Sequence, residues 1–148
     1  MTYLIDTDVM VDFFNHKDPA KGLIARLSKH AVLALSTLTI TELRSGWPSE
    51  QANWLLPRLY ALCSVVPVTK EIAEQAGIWR QEYKSRGQSI GTPDTVIAAT
   101  AYLHDYSLVT NNAKDYPMPE LNLYKYMQEK AALEQLRALT PGLLPKSK

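Results

Sequence analysis

Short apolar runs alternate along the chain with longer stretches in which apolar residues recur every three or four positions. The short runs predict strands at residues 3–6, 32–36, 65–68 and 107–110, each bounded by polar or turn residues. The longer stretches predict helices at residues 8–15, 19–28, 41–46, 51–62, 71–86 and 93–105. In the last of these Val96, Ala99 and Leu103 share a face, with Ile97 at its margin. It follows Thr92 as a candidate N-cap, with Pro93 at the first helical position. In the helix from Glu71, residues Ile72, Ala76 and Trp79 fall on one side and Tyr83 follows one turn on, a stripe expected in the core. Strands alternating with helices in this way predict an α/β domain with a mainly parallel central sheet flanked by helices. Residues 1–124 are expected to form this domain. Residues 125–148 are expected to add a C-terminal helix at 127–139 and a frayed tail from Thr140, with Leu133, Leu136, Leu139 and Leu143 available for docking.

Composition narrows the class. A chain of 148 residues with 46% hydrophobic and 21% charged residues is expected to bury one core, which excludes a disordered or fibrous protein. No apolar run approaches the roughly 18 residues of a membrane span, and the first residues lack a secretory pattern, so a cytoplasmic protein is expected. Cys63 has no partner cysteine and reads as a small buried hydrophobe, which excludes an internal disulfide and a cysteine-rich zinc site. The net charge of +1 excludes a polycation that coats nucleic acid, so any RNA contact must be local and its salt dependence shallow.

Four carboxylates carry the chemistry. Asp6 ends the first predicted strand, Glu42 opens the helix after the second, Asp94 opens a later helix, and Asp115 follows the strand ending at Thr110. In a parallel sheet the chain leaves every strand at the same edge, where ligands bind, so these acids are able to meet there. Each also has a plain structural explanation. Thr39 and Glu42 fit a capping box, Asp94 suits the first turn of a helix, Asp115 suits a turn before Tyr116 and Pro117, and Asp6 suits a strand end. Together, however, four acids at one edge would repel one another unless a cation offset their charge. All-oxygen ligation points to Mg²⁺, with Mn²⁺ as a substitute. Such an ion activates water and neutralises phosphodiester oxygens, so hydrolysis of a nucleic acid strand is the economical chemistry.

The segments Leu4-Ile5-Asp6-Thr7-Asp8-Val9, Ser36-Thr37-Leu38-Thr39-Ile40-Thr41-Glu42-Leu43, Pro93-Asp94-Thr95-Val96-Ile97-Ala98-Ala99-Thr100-Ala101 and Leu108-Val109-Thr110-Asn111-Asn112-Ala113-Lys114-Asp115-Tyr116 occur in that order. As a set they resemble the PIN-domain ribonucleases, most closely the VapC-type toxins of toxin-antitoxin pairs. The resemblance implies a three-layer fold in which Asp6, Glu42, Asp94 and Asp115 hold Mg²⁺ or Mn²⁺. Asp8 and Asn112 match accessory polar positions, and Thr110 a hydroxyl that orients a carboxylate. Asp8 reads equally as an N-cap. The resemblance further implies an RNA substrate, a 5′-phosphate product, a homodimer, and a small antitoxin that inserts a segment near the metal.

Arg44 and Lys114, close in sequence to Glu42 and Asp115, are placed to meet a phosphate. Arg80, Lys84 and Arg86 read as a solvated helix face, with a wider approach surface for RNA as the alternative. His16, His30 and His104 are scattered and receive no catalytic role. Two rival functions stay open. Asp6-Thr7-Asp8 after an apolar strand also resembles the haloacid-dehalogenase-like phosphatases, although Gly91-Thr92-Pro93-Asp94 matches their later acidic motif poorly. The other rival is a catalytically silent, antitoxin-binding PIN-like module. Asp6→Asn and Asp94→Asn are both expected to end cleavage while keeping the fold.

Overall fold

The computed structural model describes residues 1–124 together with residues 138 and 139. Five strands, β1 (Thr2–Ile5), β2 (Val32–Ser36), β3 (Ser64–Val66), β4 (Ser107–Val109) and β5 (Asn122–Leu123), form one sheet. Its order is β3-β2-β1-β4-β5 and every neighbouring pair is parallel. The helices are α1 (Thr7–Phe14), α2 (Ala20–Leu27), α3 (Thr37–Gly46), α4 (Ser49–Leu62), α5 (Lys70–Ser85) and α6 (Thr92–His104).

Successive strand residues point to opposite faces, and both faces are covered. Ile5, Leu33, Leu35 and Val109 pack with Val9 and Met10 of α1, Leu23 and Ile24 of α2, Leu43 of α3 and Leu59 of α4. Leu4, Ala34 and Leu108 pack on the other side with Ile72, Ala76, Trp79 and Tyr83 of α5 and with α6. The result is the expected three-layer α/β sandwich. Cys63 is buried in the first of these layers, and burial pushes its thiol up to about 12.

Some elements differ from expectation, for identifiable reasons. Helix α3 starts at Thr37, four residues earlier than predicted, because the Ser36 hydroxyl accepts from the Leu38 amide at 3.1 Å. Its opening residues, rich in threonine and isoleucine, have weak helix propensity and conceal the start. Thr39 is therefore buried rather than capping, and Glu42 lies within the helix rather than at its mouth. Gly91, not Thr92, is the N-cap of α6. Leu103 is 45% exposed, whereas the run from Thr95 to Ala101 is buried on all sides because α6 lies between the sheet and α5. Strand β5 was not expected. The helix predicted at 127–139 and the proposed division at residue 125 fall outside the described residues, apart from residues 138 and 139. No described helix is long and apolar enough to cross a membrane.

The strand order reverses at β1, which opens a crevice at the carboxyl ends of β1 and β4. Ile5 pairs with Val109, so the next residues, Asp6 and Thr110, leave the sheet side by side. The Asp6 amide donates to the Val109 carbonyl at 2.9 Å and fixes that alignment.

Candidate metal centre

Asp6 is the centre of the arrangement. It caps α1 and is only 8% exposed, yet its carboxylate is well supplied with donors. Oδ1 accepts from the Thr7 amide at 2.8 Å, while Oδ2 accepts from the Thr110 and Tyr116 hydroxyls, each at 2.8 Å. A carboxylate offers about four acceptor sites, so these bonds leave Oδ1 one lone-pair direction for a further partner. Thr110 thus orients a carboxylate through its hydroxyl, and it also accepts from the Asn112 amide at 3.1 Å.

Tyr116 joins Asp6 to Asp94. Its buried hydroxyl bonds Asp6 and also lies 3.4 Å from Asp94 Oδ1. The two carboxylates are therefore no farther apart than these two contacts laid end to end. Burial, followed by the charges of Asp6 and Asp115 and then by that of Glu42, raises the Asp94 carboxyl above its ordinary range. The Tyr116 hydrogen bond opposes this rise. Asp94 thus feels all three other acids. Tyr116 itself is pushed up, first by burial and then by the charge and hydrogen bond of Asp6.

Glu42 reaches the same edge from α3, where its Oε1 accepts from the Thr7 hydroxyl at 2.7 Å. That hydroxyl also lies 3.0 Å from the buried Thr39 hydroxyl. Asp115 is half-buried and ends a single 3-10 turn, Ala113–Asp115. The fold therefore brings all four acids to one edge. Among the described residues, however, no group of three or more acidic, histidine or cysteine side chains is arranged to hold a metal ion as it stands. Hydroxyl donors separate the carboxylates instead. The donor set still fits a hard divalent cation, because Mg²⁺ keeps several waters and takes only one or two carboxylates directly. Asp6 and Asp94 are linked through the one hydroxyl of Tyr116.

Asp8 sits beside this centre and does not cap α1. Its Oδ1 accepts from the Val9 amide at 2.8 Å and its Oδ2 from Asn112 Nδ2 at 2.7 Å. Burial, the Asp6 charge and, more weakly, Asp12 push its carboxyl up from 3.8 to about 7, against two backbone hydrogen bonds that lower it. With a folded pKa above the unfolded one, the contribution of Asp8 to stability is complete below about pH 4 and is lost as the pH rises through about 7. The metal-free protein is expected to show this loss in thermal melts, and Asp8→Asn is expected to remove that component. An unchanged pH profile in the variant would contradict the assignment.

The two basic residues nearest the acids in sequence differ in their surroundings. Arg44 is committed elsewhere, its Nη1 donating to the Trp47 carbonyl at 3.0 Å and its Nη2 to the Ser49 hydroxyl at 3.1 Å. These bonds use two of its five N–H donors, on acceptors beyond the C-terminal end of α3. Lys114 is exposed on the short turn beside Asp115. Sequence reasoning gave no site role to Tyr116, Thr7 or Thr39, the last of which read as half of a capping box with Glu42. Tyr116 was legible only as part of a turn, since nothing local reveals that its hydroxyl crosses to β1.

A parallel sheet covered by helices on both faces, with acids gathered at its carboxyl edge, defines a three-layer α/β class, and the PIN domain family profile matches residues 3–117. The chain belongs to the PIN-domain family. It is 35% identical over 123 residues to ribonuclease VapC19 of Mycobacterium tuberculosis, covering 80% of this chain and 95% of that one. It is 32% identical over 117 residues to ribonuclease VapC10 of the same organism, covering 79% and 87%. Its fold matches VapBC2 of Rickettsia felis, solved bound to a DNA fragment from their promoter, with a TM-score of 0.75 and 28% identity over 84% of this chain and 98% of that one. The phosphatase alternative loses its basis with this family membership, and Asp94 opens a helix where that reading needs a strand end.

Proposed function

We propose that this protein is a divalent-metal-dependent endoribonuclease and the toxin of a toxin-antitoxin pair. The observation that carries the reading is the buried Asp6 carboxylate, held by three donors and sharing the Tyr116 hydroxyl with Asp94. Relatives named ribonucleases support the RNA substrate. A solved toxin-antitoxin complex of similar fold from Klebsiella pneumoniae supports an antitoxin partner, and a homodimeric toxin acting in the cytoplasm belongs to the same reading.

In this reading Asp6 and Asp94 hold Mg²⁺, or Mn²⁺ in its place, with Glu42 and Asp115 completing the site directly or through water. The bound ion supplies an activated water and offsets charge on the phosphodiester oxygens. Thr110 and Tyr116 fix the rotamer of Asp6, Thr7 holds Glu42, and Asn112 holds Asp8. In this reading Lys114, exposed beside Asp115, meets a phosphate of the substrate.

Incubating the purified protein with total RNA in Mg²⁺, in Mn²⁺ and in chelator, and then mapping the ends, tests this. Cleavage with either ion and none in chelator is expected. Intact RNA under all three conditions favours the silent module, and cleavage in chelator removes the metal from the account.

A further inference from the structure

Away from the acidic edge, α5 and the loop before α6 enclose a cleft of about 400 Å³ lined by Gly77, Arg80, Gln81, Lys84, Ser89 and Ile90. Gly77, Arg80, Gln81 and Lys84 follow helical spacing, so they present one face of α5. Among the described residues no carboxylate lines the cleft. Arg80 is oriented within it, because its Nε donates to the Ile90 carbonyl at 3.2 Å. That bond uses one donor and leaves both terminal amino groups of the guanidinium available. Among the described residues neither those groups nor Lys84 Nζ has a hydrogen-bond or ion-pair partner. Two unpaired cations beside an amide and a hydroxyl donor make a site for an anion, and an arginine held in place loses little entropy on gripping a phosphate.

The loop on the far wall connects this cleft to the acidic edge. Ile90 precedes Gly91, the N-cap of α6, and Asp94 lies in the first turn of that helix. Four residues of chain span at most about 14 Å. A strand whose scissile phosphate lies at Asp94 can therefore run over the start of α6 to the cleft.

We infer that Arg80 and Lys84 form a docking site for a backbone phosphate of the RNA substrate, flanking the bond that is cut. The inference rests on the ribonuclease reading above. It replaces the solvated-face reading of these residues, and it supplies a local positive site on a chain whose net charge is only +1. Phosphate contacts of this kind set register without reading sequence.

The test is filter binding of a single-stranded oligouridylate to the full chain in chelator across a salt series, with metal-dependent cleavage measured in parallel. Each phosphate contact contributes about 0.7 to the slope of log affinity against log salt for single strands. Lys84→Gln and Arg80→Gln are each expected to lower the slope by roughly that amount. They are also expected to raise KM for RNA while leaving kcat unchanged, and Arg80→Lys should restore most of the slope. Lys84→Gln disturbs no hydrogen bond in the structure and so separates charge from folding. If the wild type cleaves RNA and Lys84→Gln keeps the wild-type slope and KM, the cleft is not a docking site and the ribonuclease stands. Loss of self-association or of a protein partner with an unchanged slope would likewise overturn it in favour of a protein interface. A wild type that neither binds nor cuts RNA removes both proposals.

Discussion

Asp94→Asn is expected to lower RNA cleavage at least about a hundredfold, since loss of mere supporting groups around a metal already costs 10- to 100-fold. The metal-free variant should be as stable as the wild type or more so. The reason lies in what surrounds Asp94. Burial and the charges of Asp6, Asp115 and Glu42 all oppose its ionisation, and among the described residues its side chain meets only the Tyr116 hydroxyl, at 3.4 Å and shared with Asp6. An asparagine oxygen can still accept that bond, while the repulsion is gone. Asp6→Asn differs, although the sequence suggests the two substitutions are alike. Asp6 accepts from Thr7, Thr110 and Tyr116 in a buried position, so placing an amide NH₂ among those donors should cost about 1–3 kcal/mol. Cleavage rates and melting in chelator, measured on both variants, check this. Undiminished cleavage by Asp94→Asn would refute its role.

Tyr116→Phe should lower metal affinity or cleavage by about 10- to 100-fold while leaving the fold intact. The phenol is 2% exposed and its ring packs in the layer with α5 and α6, which phenylalanine can fill equally well. Only the hydroxyl is lost. Among the described residues Asp6 Oδ2 then keeps Thr110 as its sole donor, and Asp94 is no longer tied to Asp6. Tyr116 is thus a positioning residue, and its mark is a weakened Mn²⁺ affinity measured by titration, apart from turnover. Equal Mn²⁺ affinity in wild type and variant would show that the hydroxyl merely fills space.

The sheet and its two helical layers were largely legible because burial on both faces of a parallel sheet writes continuous apolar runs such as those around Leu4 and Leu108. Strand β5 escaped because its two residues, Asn122 and Leu123, are too few to carry a period, and only pairing with β4 defines them. The start of α3 escaped because Ser36 and tertiary packing set it against the local preference of Thr37 to Thr41. At the site, the acids were visible as charges at element ends. What holds them was hidden, since the bonds from Thr110 and Tyr116 to Asp6 and from Thr7 to Glu42 join residues remote in sequence. The surroundings of Arg44 were hidden as well, since its distance from Glu42 along the helix said nothing of the Trp47 carbonyl that it binds.

Anomalous scattering from a crystal of the full-length protein soaked in Mn²⁺ locates the ion without reference to activity. A peak between the Asp6 and Asp94 carboxylates, lost in Asp94→Asn, is the predicted result. Saturating Mn²⁺ with no peak at that edge of the sheet would contradict the account.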